Sequence, residues 1–194
     1  MSTDQEPVVF GQAIEALIKA LKDRITPAFR QEAKARGVDL DKLQTAYSLN
    51  VWSDFLRALG QHTLGEIAEA DRYRQLGRIF MQGFVETPLG IAALALAKLL
   101  GPRRSLERMG RNFKQATNYL EAEFTEVGPK EVRLRTFTAP QYLARTVDNT
   151  TMIAEYRQGL LSETLVLIGA KDGNVEIIER LPEQHGVTFR ITWS

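Results

Sequence analysis

The sequence predicts an α+β fold, an N-terminal helical bundle followed by a small antiparallel sheet in the order strand, strand, helix, strand, strand. Three observations carry this. Apolar residues recur at helical spacing as far as residue 116. Beyond residue 117 the period falls to two, as in Val132, Leu134, Thr136 and Thr138, and again in Val187, Phe189, Ile191 and Trp193. Between those alternating segments lies one long apolar run, residues 150–170. A single domain over 1–194 is expected, with a helical part at about 8–116 and a sheet-and-helix part at about 117–194.

In the first part, residues 11–24 place Ile14, Leu17, Ile18 and Leu21 on one helical face. Pro27 suits the first turn of a second helix that stops at Gly37. A third helical segment is expected from Val38, with Leu40, Leu43 and Tyr47 as its apolar residues. Asn50 is the expected cap of a helix from Val51 to Leu59, ended by Gly60. Thr63 and Glu66 have capping-box spacing and should open a helix running towards Phe84. Thr87-Pro88 repeats the start signal and Gly101-Pro102 the stop. The stretch from Gly90 to Leu100 is the most apolar in the chain but too short to span a bilayer, which needs ~20 residues, so it is expected to be a buried core helix. Ser105 then opens a short basic helix with Leu106, Met109 and Phe113 on its apolar face.

In the second part, residues 118–127 alternate as a half-buried strand, and Gly128-Pro129 turns the chain into the next one. The helix over 150–170 should be capped by Asn149, end at Gly169 and pack against the sheet. A turn at Lys171-Asp-Gly-Asn174 leads to the last two strands.

Composition excludes several function classes. With 44% hydrophobic and 25% charged residues the chain is neither disordered nor membrane-like. Cysteine is absent, which removes disulfides, thiolate metal sites and cysteine nucleophiles. The polar, acidic start MSTDQEPVVFGQ does not read as a secretory signal, and a cytoplasmic address is expected. A formal charge of +1 supplies no general attraction to nucleic acid.

Catalytic patterns are missing as well. His62 and His185 are the only histidines, both in turn-like contexts without a second ligand at metal spacing. No Gly-x-Ser-x-Gly elbow occurs, and Ser162 falls in mid-helix. Gly169-Ala-Lys-Asp-Gly173 lacks phosphate-loop spacing. Glu121, Glu123 and Asp148 could form an acid–base pair, but acids two apart on a strand more often line a solvated face. No catalytic residue, metal ligand or cofactor is assigned, and the chain is read as a non-enzyme.

The charge that stands out is local. Lys98, Arg103, Arg104, Arg108, Arg111 and Lys114 face the single acid Glu107. On a helix from Ser105, Arg104, Arg108 and Arg111 share one strip. Arg103, Arg104, Arg108 and Arg111 are therefore the candidate binding residues, for an anion or an acidic protein partner. A solvated face, or neutralisation by Glu121 and Glu123, is the competing explanation. No aromatics are interleaved for base stacking, so no specific nucleic acid is expected. Trp52, Phe55, Tyr47, Phe80, Phe84 and Tyr73 sit at helical positions and are read as core, although a pocket between helices and sheet would suit a small apolar ligand.

Several stretches resemble a known family. Tyr47-Ser-Leu-Asn-Val-Trp52, Leu76-Gly-Arg78, Phe84-x-x-Thr-x-x-Gly90, Gly101-Pro-Arg-Arg104, Gly159-Leu-Leu-x-x-x-Leu165 and the terminal Trp193 occur in this order. Together they resemble a paralogous family of similar length expanded in myxobacteria, a domain of unknown function, from about Val9 to Trp193. In architecture the chain is also similar to the haem-nitric-oxide-binding and four-vinyl-reductase-like sensor domains. That likeness rests on Tyr156-Arg-Gln-Gly-Leu160 followed by strands at 174–180 and 186–193. Haem-binding members of that group carry a proximal histidine and a Tyr-x-Ser-x-Arg motif, and both are missing here. The resemblance implies a regulatory or sensor-like module that binds a small ligand or a protein partner in cytosolic signalling. The alternatives are a protein-interaction or homodimerisation module using the basic helix, and an enzyme using carboxylates near the sheet.

Overall fold

The computed structural model describes residues 5–113, 116–146 and 150–194. The chain enters through a three-residue strand, β1 (Val8–Phe10), paired antiparallel with β2 (Ala46–Ser48). Strands this short carry no readable alternation, and neither was expected. Helix α1 (Gln12–Ala20) buries Ala13, Ile14, Ala16 and Leu17. Helix α2 (Pro27–Ala35) begins as its proline predicts, and the Thr26 hydroxyl caps it by accepting from the Phe29 N–H at 3.2 Å.

The helix expected from Val38 to Tyr47 does not form. Local side-chain bonds compete with it: Asp39 Oδ1 accepts from the Asp41 N–H at 3.1 Å, and the Tyr47 hydroxyl accepts from the Gln44 N–H at 2.8 Å. Helix α3 (Leu49–Leu64) is capped by Ser48 rather than Asn50 and runs straight through Gly60. That glycine is a packing device, since a Cβ there would lie 2.9 Å from Arg72 Cδ. Thr63 does not open the next helix either. Its hydroxyl donates back to the Leu59 carbonyl at 2.7 Å, and α4 (Glu69–Phe84) starts later, after Ala68.

Helix α5 (Pro88–Asn112) begins as read, with Thr87 Oγ1 accepting from the Gly90 N–H at 3.0 Å. The expected stop is a sharp kink, where Gly101 takes φ +75° and Pro102 opens the second half. The first half is not the buried core helix its composition suggested. Ile91 is 58% exposed and Leu99 85%, while of the stretch from Gly90 to Leu100 only Gly90 is buried. It is apolar on all sides, but it lies over a cavity on one face and leaves the other face open.

The second part has the predicted order. Strands β3 (Leu120–Gly128) and β4 (Glu131–Thr138) form a hairpin, α6 (Thr150–Leu167) follows, and β5 (Asn174–Leu181) and β6 (Gly186–Thr192) form the second hairpin. The antiparallel sheet has the order β3-β4-β6-β5. Val132, Leu134, Val187, Phe189 and Ile191 point into its buried face, against Ala154, Leu161 and Leu165 of α6. Asn149, the expected cap of α6, lies outside the described residues.

Helix α6 faces two cores at once. Met152, Tyr156 and Leu160 join the helical core with Phe55, Leu56 and Leu76, while Leu161 and Leu165 join the sheet core. It crosses α4 at backbone contact distance. A Cβ on Gly77 would sit 1.9 Å from the Tyr156 carbonyl oxygen, and one on Gly159 would sit 1.8 Å from that of Arg74. Buried Glu155 stands beside this crossing, bonded to Arg74 at 2.6 Å and to Arg180 of β5 at 2.8 Å. Among the described residues no single helix is long and apolar enough to cross a membrane.

Candidate functional site: a cavity between the helices and the sheet

Because α5 lies over the helical bundle without filling the space beneath it, a cavity of about 460 Å³ remains. This is within the usual range for small-molecule sites. Helices α1, α3, α4, α5 and α6 contribute its walls, with the residues leading into β3. The lining is mainly apolar, including Leu56, Phe80, Phe84, Leu94 and Leu160. Three of the aromatics read as core are therefore also wall: Trp52, Phe80 and Phe84. Tyr47, Phe55 and Tyr73 are core, buried away from the cavity. Trp52 meets Tyr156 edge to face with ring centres 6.0 Å apart, and Phe80 stacks on Phe84 at 6.0 Å.

Several of the wall's hydroxyls are already engaged. Ser105 donates to the Ala97 carbonyl at 2.8 Å, Thr164 to that of Leu160 at 2.8 Å, and Thr117 accepts from the Leu120 N–H at 3.3 Å. Tyr119, Tyr156 and Arg157 differ. All three line the cavity and are buried, and of their side chains only that of Arg157 has a hydrogen-bond partner among the described residues, Thr136 Oγ1 at 2.9 Å from its Nη1. Burial drives the Tyr119 phenol up from its ordinary pKa and that of Tyr156 well above it. Burial also lowers the Arg157 guanidinium to about 10, with the nearby Tyr119 opposing the shift.

A pH dependence follows from the two phenols. Their folded pKa values lie above the unfolded value near 10, so the folded state keeps protons that the unfolded chain releases. Their contribution to stability is complete below that pH and is lost as pH rises through the folded values. In an alkaline titration followed by phenolate absorbance, the Tyr119 and Tyr156 phenols should ionise in a step that coincides with loss of far-ultraviolet circular dichroism. Ionisation of all five tyrosines before any such loss would contradict this.

The arginines singled out from sequence are dispersed. Arg103 pairs with Glu126 at 3.1 Å, and Arg111 pairs with Glu107 one turn before it. Arg104 is exposed, and Arg108 is exposed at the cavity's edge, the one member of the four that lines it. Glu123, weighed as a neutraliser, pairs with Arg135 at 3.1 Å instead. Asp148 lies outside the described residues, so no carboxylate pair with Glu121 or Glu123 is described. His62 stacks on Phe29 with centres 4.8 Å apart, and His185 lies 2.7 Å from Thr146 Oγ1 through Nδ1. Neither lines the cavity. No group of three or more metal-ligating side chains occurs among the described residues.

Arg157, Tyr119 and Tyr156 escaped the sequence as site residues. A signal existed. The polar residues of α6 are not gathered on one face and the helix is buried on nearly all sides, so Glu155, Arg157 and Glu163 had no solvated face to occupy.

The fold has well-matched counterparts among solved structures. An oxygen-binding H-NOX domain related to soluble guanylate cyclases superposes with a TM-score of 0.70 at 16% identity, covering 95% of this chain and 94% of that one. A structure reported for modulating haem redox potential through porphyrin distortion gives 0.68 at 16%, covering 95% and 99%. An Fe(II) unliganded H-NOX variant from K. algicida gives 0.62 at 12%, covering 95% and 96%. At such identities the likeness establishes the H-NOX-like fold alone. No curated protein matches the sequence. The family model described as "Protein of unknown function (DUF2378)" matches residues 7–194, and the chain belongs to that family.

Proposed function

We propose that this chain is a non-enzymatic, sensor-like module that binds a small, largely apolar ligand in the cavity beneath α5. The observation that carries this is a 460 Å³ aromatic-walled cavity, placed between helical bundle and sheet in an H-NOX-like fold. Haem is reported for some of the structural neighbours, but the residues here do not suit its iron. Haem iron takes an axial imidazole, thiolate, thioether with imidazole, or phenolate. Both histidines stand away from the cavity and cysteine is absent. Phenols are the one such donor type on the cavity wall among the described residues, and burial disfavours the phenolate form of both Tyr119 and Tyr156. The ligand proposed is therefore metal-free.

Helix α5 offers a route for a signal. Its first half covers the cavity, and its second half sends Leu106 into the sheet core beside Leu134. A ligand seated under the first half would shift the surface that displays Arg104 and Arg108. A second reading, a contact surface for a protein partner or a second copy, is favoured by exposed Ile91 and Leu99 on the same helix as Arg104. Charge reversal of Arg104 and Arg108 tests it through oligomeric state and partner capture.

The ligand reading is tested by native mass spectrometry and thermal shift with a panel of apolar compounds. Wild type should retain or bind one equivalent, and Leu56→Trp, which fills the α3 side of the cavity, should abolish binding while the protein stays folded. Absence of any retained mass and of any thermal shift across the panel would overturn it.

A further inference from the structure

The cavity wall gathers donors without acceptors to match them. Arg157 is only 5% exposed, and no carboxylate among the described residues pairs with it. The acids on its own helix are engaged elsewhere: Glu155 is held by Arg74 and Arg180, and Glu163 accepts from Gln82 Nε2 at 3.0 Å. The β4 side supplies a hydroxyl, Thr136 Oγ1, and no charge. Tyr119 and Tyr156 line the same cavity as protonated phenols, and their hydroxyls have no hydrogen-bond partner among the described residues. Tyr119 lies close enough to both to perturb Tyr156 and Arg157 electrostatically.

A guanidinium taken out of water with no counter-ion is costly, and so are hydroxyls that face an apolar cavity without acceptors. An oxyanion answers both deficits, since a carboxylate accepts two bonds from a guanidinium fork and further bonds from phenols. One buried cation matches one negative charge, which favours a carboxylate over a doubly charged phosphate monoester. The rest of the wall is hydrocarbon and aromatic. We propose that the ligand is an amphiphilic monoanion, a carboxylic acid with a hydrocarbon tail, its carboxylate held by Arg157, Tyr119 and Tyr156 and its tail laid against Phe80, Phe84 and Leu94. This rests on the cavity being a ligand site, as proposed above.

Titrations of the full chain with dodecanoate, dodecanol and dodecyl phosphate, followed by quenching of Trp52 on the cavity wall, test it. Dodecanoate should bind at least tenfold more tightly than dodecanol at neutral pH. Arg157→Gln should remove that preference, Arg157→Lys should keep much of it, and Tyr119→Phe should weaken the acid several-fold while leaving the alcohol unchanged. Equal binding of acid and alcohol, or tighter binding of the phosphate, overturns the head-group assignment and leaves the cavity reading intact. Failure of all three to bind overturns both. If Arg157→Gln does not fold, the wild-type acid-to-alcohol ratio and Tyr119→Phe still decide the matter.

Discussion

Gly159→Ala should destabilise the fold by about 3 kcal/mol, at the upper end of overpacking costs. For a chain of this length that lowers the melting temperature by roughly 6–12 °C. The cause is geometric. A Cβ on Gly159 would lie 1.8 Å from the Arg74 carbonyl oxygen, which belongs to the backbone of α4 and cannot rotate away. Helices α4 and α6 would have to separate, and α6 carries residues of both cores. Gly77→Ala should behave alike, with its Cβ 1.9 Å from the Tyr156 carbonyl. Gly128→Ala is the control, because nothing lies within 4 Å of its added methyl. Calorimetry on the three variants checks this, and a Gly159→Ala protein that melts with wild type would refute the close crossing.

Glu155→Ala should cost about 2–3 kcal/mol, somewhat less than the 3–5 typical of breaking a fully buried pair. Its carboxylate side chain is 7% exposed and joins two arginines, Arg74 at 2.6 Å and Arg180 at 2.8 Å. Those arginines are 35% and 39% exposed, so water recovers part of their solvation once the acid is gone. Urea unfolding should show a lower midpoint with an unchanged slope. Arg180→Ala alone should cost less, and the double variant should cost less than the sum of the two. A Glu155→Ala midpoint equal to wild type would mean that the clamp between α4, α6 and β5 contributes nothing.

These two effects show where sequence reading succeeds and where it stops. Val132, Leu134, Thr136 and Thr138 alternate because one face of β4 is covered, so the strand and its buried face were legible together. Thr87-Pro88 was legible because a cap and an N1 proline act within one turn. The helix expected over residues 38–47 failed because the Asp39 and Tyr47 side chains satisfy local backbone groups first. Gly60 was misread as a stop, and Gly159 was noticed only as part of a family motif. In both, the reason for glycine lies on a neighbouring helix, Arg72 for one and Arg74 for the other.

The candidate site divides in the same way. The arginine strip was visible because its members are neighbours in sequence, and the structure scatters their partners over Glu126, Glu107 and the cavity edge. Tyr156 and Arg157 stand out in sequence only as part of a resemblance motif and Tyr119 only as a strand residue, because the donor set joins the start of β3 to the middle of α6.

By itself the sequence determined the α+β class, the order of the C-terminal elements, the absence of cysteine chemistry and the family resemblance, since all of these follow from local periodicity, composition and short ordered motifs. Only the tertiary structure decided that the most apolar stretch would lie exposed over a cavity, and that a buried guanidinium and two phenols would face it. Burial and the pairing of charges depend on which elements pack against one another, and local periodicity does not encode that choice.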